Sequence, residues 1–121
     1  MDIDHFKKIN DTYGHPVGDS VLISLAKLLQ STAREFDIVA RYGGEEFVIL
    51  LPNTDQEQSI ILAEEYRLRV ASQIWGEYAV TISIGAATAS PGDNDQSLLH
   101  LADTALYASK SGGRNRITHA G

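Results

Sequence analysis

Apolar residues recur every three or four positions in "HPVGDSVLISLAKLLQSTAR", His15 to Arg34. Val21, Leu22, Leu25, Leu28 and Leu29 fall on one face, which predicts a helix with a buried stripe, and Pro16 suits its first turn. The period then changes. "DIVARYGGEEFVILLP", Asp37 to Pro52, reads as two strands around a tight turn in which Gly43 and Gly44 supply positive φ. Helical spacing returns in "TDQEQSIILAEEYRLRVASQ", opened by a capping box of Thr54 and Glu57, with Ile61, Leu62, Tyr66 and Val70 on its inner face. In "YAVTISIGAA", Val80, Ile82 and Ile84 alternate with Thr81 and Ser83, the period of a strand. "DQSLLHLADTALYASKSGG" is the last helix, with Leu98, Leu101, Ala105 and Leu106 inward and Gly112 as its stop. "RITH" closes the chain as a short strand.

The order is helix, strand, strand, helix, strand, helix, strand, and Ile3 in the leading "MDID" reads as the end of a further strand. That string predicts an α+β, ferredoxin-like βαββαβ core, a mostly antiparallel sheet covered by helices. In this arrangement the first strand is central and runs antiparallel to the strand after the hairpin. Asp2 and Glu45 then become spatial neighbours.

Composition narrows the chemistry. The chain has 121 residues, enough for one domain, and its hydrophobic fraction of 43% is that of a folded protein. A net charge of −6 argues against a broad nucleic-acid-binding face, while leaving room for a nucleotide held by a few cations and a metal. The absence of cysteine excludes disulfides and thiolate-bound zinc. The longest apolar run, Phe47 to Leu51, is too short to span a bilayer, and the acidic, mixed N-terminus is unlike a signal peptide. A cytoplasmic setting fits these features.

Asp2, Glu45 and Glu46 form the acidic cluster that this topology predicts. Hard oxygen donors of this kind suit Mg²⁺, which takes one or two carboxylates together with waters and substrate phosphates. A Glu-Glu pair by itself more often decorates a solvated hairpin; the adjoining glycines and the convergent third acid favour a functional site here. "DHFKKINDTYG" predicts one or two helical turns whose leading amides, at Phe6 and Lys7, could face phosphate, with Lys8 another cation nearby; taken alone, the segment reads equally as a capped surface turn. Asn10 and Asp19 carry side chains able to read a guanine edge. Taken singly, Asp19 reads as a helix-start residue and His15 as a cap or packing residue. "KSGGRN" sets Lys110 and Arg114 around a helix stop, where cations are favourable through the macrodipole or can clamp outer phosphates. Arg34 and Asp37 in "REFD" are an opposite-charge pair of little weight alone.

Together these segments resemble the GGDEF family, the diguanylate cyclases. The signature loop stands here as "GGEEF", Gly43 to Phe47, with the further blocks "DIDHFKKINDTYGHPVGD", "DIVARYGGEEFVILLP", "TISIGAA" and "ADTALYASKSGGRN" in family order over nearly the whole chain. The resemblance implies a palm-type fold similar to nucleotidyl cyclases. It implies condensation of two GTP into cyclic di-GMP, with release of pyrophosphate, by a homodimer of facing domains. By motif position it assigns Mg²⁺, or alternatively Mn²⁺, to Asp2, the Ile3 carbonyl, Glu45 and Glu46, with Glu45 as base for the ribose 3′-OH and Glu46 as a second catalytic acid. Asn10 and Asp19 match the guanine readers, and His15 a further substrate contact. Phe6, Lys7, Lys110 and Arg114 match the triphosphate contacts, while Gly43 and Gly44 let the backbone lie against the nucleotide. Arg34 and Asp37 match an RxxD motif that binds product as an inhibitory site, with Arg67 assisting from a neighbouring subunit.

The chain departs from the family pattern at its start. A leading helix and most of the first strand are absent from these 121 residues, so the sequence is expected to be a single truncated GGDEF domain, weakly active or inactive alone. An upstream sensor or receiver domain, and in some cases a membrane anchor, would belong to the parent protein. The competing reading is a catalytically inactive GGDEF module that binds cyclic di-GMP or GTP as a receptor. The intact signature loop, Asp2 and Lys110 favour the enzyme.

Overall fold

A computed structural model describes residues 1–121. The elements follow the predicted order: β1 (Asp2–Ile3), α1 (Phe6–Tyr13), α2 (His15–Thr32), β2 (Ile38–Arg41), β3 (Phe47–Leu50), α3 (Gln56–Ser72), β4 (Ile82–Ala86), α4 (Asp95–Ser111) and β5 (Ile117–His119). β1 pairs antiparallel with β4, and β4 pairs parallel with β5. β2 and β3 form an antiparallel hairpin in which Ile38 faces Leu50 and Arg41 faces Phe47. The hairpin meets β1 through an antiparallel bridge between Asp2 and Glu46, with Phe47 N–H donating to Met1 O at 2.9 Å. The sheet therefore runs β2-β3-β1-β4-β5, and the first strand is central, as the ferredoxin-like reading requires.

α3 and α4 both pack on β4, and α1 packs on α2. Val21, Leu25 and Leu29 of α2 meet Val70 of α3 and Val80 and Ile82 in a core where these six side chains are almost fully buried. β4 is buried on both faces, since Ser83 is as inaccessible as Ile82. Gly85 is needed there. A Cβ on it would lie 2.1 Å from Ala102 O and 2.2 Å from Leu106 N, so α4 backbone rests directly on the strand.

Several local expectations need correction. The Tyr42–Glu46 connection is not a tight turn with positive φ; neither Gly43 nor Gly44 is left-handed. Its shape is held instead by Arg41, whose guanidinium donates to Gly43 O at 3.1 Å and Gly44 O at 2.7 Å. α3 is capped one residue later than predicted, by Asp55, whose side chain accepts from Gln58 N–H at 2.8 Å. Thr54 accepts a hydrogen bond from Arg34 instead. The capping box stands on α4, where Asn94 and Ser97 satisfy each other's backbone amides. Ile61 and Leu101 are exposed, because the true inner stripes run through Ala63, Tyr66 and Val70 on α3 and through Ala105, Leu106 and Ser109 on α4. At the end of α4, Gly112 is the stop as predicted, and the left-handed residue follows it at Gly113.

Beyond Met1 the edges of β3 and β4 separate around a largely apolar groove of about 550 Å³, floored by Tyr66 of α3 and Leu99 and Leu106 of α4. No helix is long and apolar enough to cross a membrane.

Candidate active site

The acids converge because the central strand ends where the hairpin begins. Asp2 is buried to 6% exposure, and its Oδ2 is ion-paired with Lys110 Nζ from the last turn of α4. Its Oδ1 is buried without any hydrogen-bond partner. A buried carboxylate oxygen left unpaired is costly, so this atom is poised for a cation or a donor that arrives with a ligand. Ile3 N–H donates to Glu45 O at 3.4 Å, which holds the glutamate beside Asp2. Burial, and then the neighbouring Asp2 charge, push the Glu45 carboxyl above its ordinary pKa. Glu46 is the register partner of Asp2 and borders the apolar groove. No three Asp, Glu or His side chains close around one point. The predicted three-acid cluster is thus an Asp2–Glu45 pair with Glu46 flanking it. That donor set fits Mg²⁺, which needs only one or two carboxylates and completes its shell with waters and phosphate oxygens.

The glycines fit a ligand on the open side. A Cβ on Gly44 would meet nothing within 4 Å, and on Gly43 only Glu46 Cβ at 3.8 Å. Nothing in the folded chain requires glycine at either position, and the open space leaves room for a ligand to approach the backbone closely.

The other predicted substrate contacts stand on α1, on the first turns of α2 and after the end of α4. α1 starts at Phe6, directly after β1, and its first turn includes Lys7. Phe6 is buried; Lys7 is exposed and makes no intramolecular ion pair. Asn10 is half-buried on α1 and packs over Gly18 of α2, where a Cβ would fall 1.7 Å from Asn10 Oδ1. His15 and Asp19 are exposed on the first turns of α2. Neither caps that helix, whose N-cap is Gly14 with no side-chain hydrogen bond. Arg114 follows the end of α4 with an exposed guanidinium that forms no ion pair.

Arg34 and Asp37 lie apart from these, before β2. Arg34 Nη2 and Nε bond Asp37 Oδ1 at 2.9 and 3.1 Å, and the Arg34 amide bonds Oδ2 at 2.9 Å. The guanidinium hydrogen bonds hold the Asp37 carboxyl below its usual range. Tyr66 is buried close by with its hydroxyl unpartnered, and burial pushes its pKa up to about 12. Within one chain Arg67 is engaged elsewhere, with Glu64 and with Asn115 Oδ1 at 2.9 Å.

Sequence reasoning passed over Asp4. It is buried, and accepts from Thr81 Oγ1 at 2.7 Å, Ser83 Oγ at 2.6 Å and Asn115 N–H at 2.9 Å. The spacing of Asp2 and Asp4 on either side of Ile3 was its only sequence signal, since acids two apart on a strand share a face. Arg41 was missed for a different reason, because its partners are backbone carbonyls.

Comparison with known proteins gives a consistent result. The family model described as "Diguanylate cyclase, GGDEF domain" matches residues 1–116. The diguanylate cyclase DgcM of Escherichia coli K12 is 47% identical over 121 residues, covering 99% of this chain and 30% of that protein. The chain therefore spans under a third of that relative. Among solved structures, the GGDEF domain of DgcB from Caulobacter crescentus, in complex with c-di-GMP, superposes with a TM-score of 0.92 at 42% identity, covering 98% of this chain and 74% of that one. The active GGEEF domain of a diguanylate cyclase from Vibrio cholerae superposes with a TM-score of 0.93 at 41% identity, covering 99% and 79%.

Proposed function

The chain belongs to the GGDEF family of diguanylate cyclases, and on that premise we propose that it is a catalytic domain that joins two GTP molecules into cyclic di-GMP and releases pyrophosphate. The observation that carries this reading is the unpartnered, buried Oδ1 of Asp2 beside Glu45, at the sheet end where α1 begins and where α4 delivers Lys110.

Asp2, the Ile3 carbonyl and Glu45 would hold Mg²⁺, or Mn²⁺ in its place, with Glu46 adjoining. When bound, the metal offsets the carboxylate repulsion and favours ionisation of the ribose 3′-OH and departure of pyrophosphate. Glu45 takes the 3′ proton. The amides of Phe6 and Lys7 and the cations Lys7, Lys110 and Arg114 orient the triphosphate, a case in which positioning and charge complementarity supply most of the catalysis. Asn10 and Asp19 select guanine, with His15 an additional substrate contact. Gly43 and Gly44 admit the nucleotide against the loop. One domain holds one GTP, so turnover needs two domains facing each other. The Arg34–Asp37 pair, with Arg67 of a second subunit, would bind product and inhibit. In the parent protein an upstream sensor or receiver domain would bring the two domains together, in the cytoplasm.

Chromatography of a reaction of this chain with GTP and Mg²⁺ tests the proposal. The expected result is little or no cyclic di-GMP from this chain, more from a longer version of the protein, and none from either with Glu45→Ala. GTP binding without product from any longer version of the protein would replace the enzyme by a receptor.

A further inference from the structure

Three successive residues after α4 are left-handed: Gly113 at φ 124°, Arg114 at 64° and Asn115 at 44°. Glycine adopts this region freely and asparagine tolerates it, but arginine does so at a cost in free energy. Strain of this kind persists only where the surroundings impose it. Here they do so from two sides. The Asn115 amide N–H donates to buried Asp4 at 2.9 Å, and its side-chain Oδ1 accepts from Arg67 Nη1 at 2.9 Å. Asp4 is itself fixed by the hydroxyls of Thr81 and Ser83 on and beside β4. Arg67 is aligned along α3 by a two-pronged bond to Glu64. One residue earlier, Arg114 N–H donates to Ser109 O at 2.9 Å, while its guanidinium is left free.

We infer that Arg67 and Asp4, acting through Asn115, are positioning residues that hold Arg114 in its strained backbone conformation and so aim its guanidinium at the outer phosphates of the nucleotide. The inference rests on the reading of Arg114 as a triphosphate contact. It gives Arg67 a role inside its own domain, on a helix that carries none of the substrate-contacting residues. Asparagine at position 115 answers both demands, since it accepts the left-handed conformation and offers an oxygen to Arg67. The guanine readers Asn10 and Asp19 stand on α1 and α2 and share no hydrogen bond with this network, so base recognition is independent of it.

The test is binding of 3′-deoxy-GTP, which cannot cyclise, and of GMP, which lacks the outer phosphates, each with Mg²⁺, by titration of the whole chain. Arg67→Ala should weaken 3′-deoxy-GTP by about tenfold, the scale of one lost charge-assisted hydrogen bond, and leave GMP unchanged. Asn115→Gly keeps the left-handed backbone and should reproduce that loss, and the double variant should be no worse than either single one. Amide exchange at Arg114 and Asn115 should quicken in Arg67→Ala without change in β4. Equal weakening of both ligands, or wild-type affinity for 3′-deoxy-GTP in both single variants, overturns the inference. If Arg114→Ala also binds like wild type, the reading of Arg114 falls with it. A loss in Arg114→Ala alone refutes only the positioning role.

Discussion

Replacing Gly85 by alanine measures how closely α4 is seated on the sheet. Gly85 is not left-handed, so alanine brings no backbone strain. By propensity and unfolded-state entropy alone the substitution would stabilise the protein, by about 0.4–1 kcal/mol. The packing reverses the sign. The added Cβ would meet Ala102 O at 2.1 Å and Leu106 N at 2.2 Å, where ordinary contact begins at 3.4 Å. These are backbone atoms of a helix, so relief requires α4 to move by roughly the 1.3 Å difference rather than one side chain to turn. Overpacking on that scale costs about 1–3 kcal/mol or more, leaving a net loss of about 1–2 kcal/mol. With a urea slope of about 2 kcal/mol per molar, the unfolding midpoint should fall by about 0.5–1 M. Because α4 carries Lys110 and β4 pairs with the strand bearing Asp2, cyclase activity should fall more than the lost stability explains. A midpoint that holds or rises would show that the close approach of α4 to β4 is not what Gly85 serves.

Other substitutions probe single contacts. Gly18→Ala would displace the Asn10 side chain, whose Oδ1 lies 1.7 Å from the added Cβ, and crowd Phe6 Cζ at 3.3 Å, so stability should fall modestly while discrimination of GTP from ATP in a competition assay drops; unchanged discrimination removes Asn10 from base reading. Tyr66→Phe deletes a hydroxyl buried without a partner, so equilibrium unfolding should shift by less than about 0.5 kcal/mol, or towards greater stability, and a loss above about 1.5 kcal/mol would reveal a hidden bond. The Asp37 carboxyl is depressed by Arg34, so the pair's contribution is present above the unfolded carboxyl value of about 4 and is lost as pH falls through the lower folded value. The stability gap between wild type and Arg34→Ala should therefore shrink as pH falls below about 4, and a gap that is constant or grows would contradict the assignment. The same Arg34→Ala variant should accumulate more cyclic di-GMP at steady state, and inhibition equal to wild type would remove the product site.

Much of the architecture is written locally. The repeat of Val21, Leu22, Leu25 and Leu29, the alternation around Ile82 and the turn residues between them specify their elements without reference to distant chain, because helix and strand periodicities bury different sets of positions. The motif blocks likewise identify the family, and element order predicted that Asp2 would lie near Glu45. What the sequence could not supply was set by contacts between segments far apart in the chain. Which acids pair, and how Lys110 reaches Asp2 from 108 residues away, follow from the sheet register and the seating of α4. Of the two reasons offered for the glycines of the signature loop, positive φ fails, since Arg41 shapes that loop through backbone carbonyls that no side-chain pattern records. Asp4, Arg67 and Asn115 showed no common signal, because each is polar and unremarkable in its own segment. Only the fold brings a buried carboxylate, a helix-borne arginine and a left-handed asparagine to one point, and only there does an otherwise unfavourable backbone conformation become the stable one.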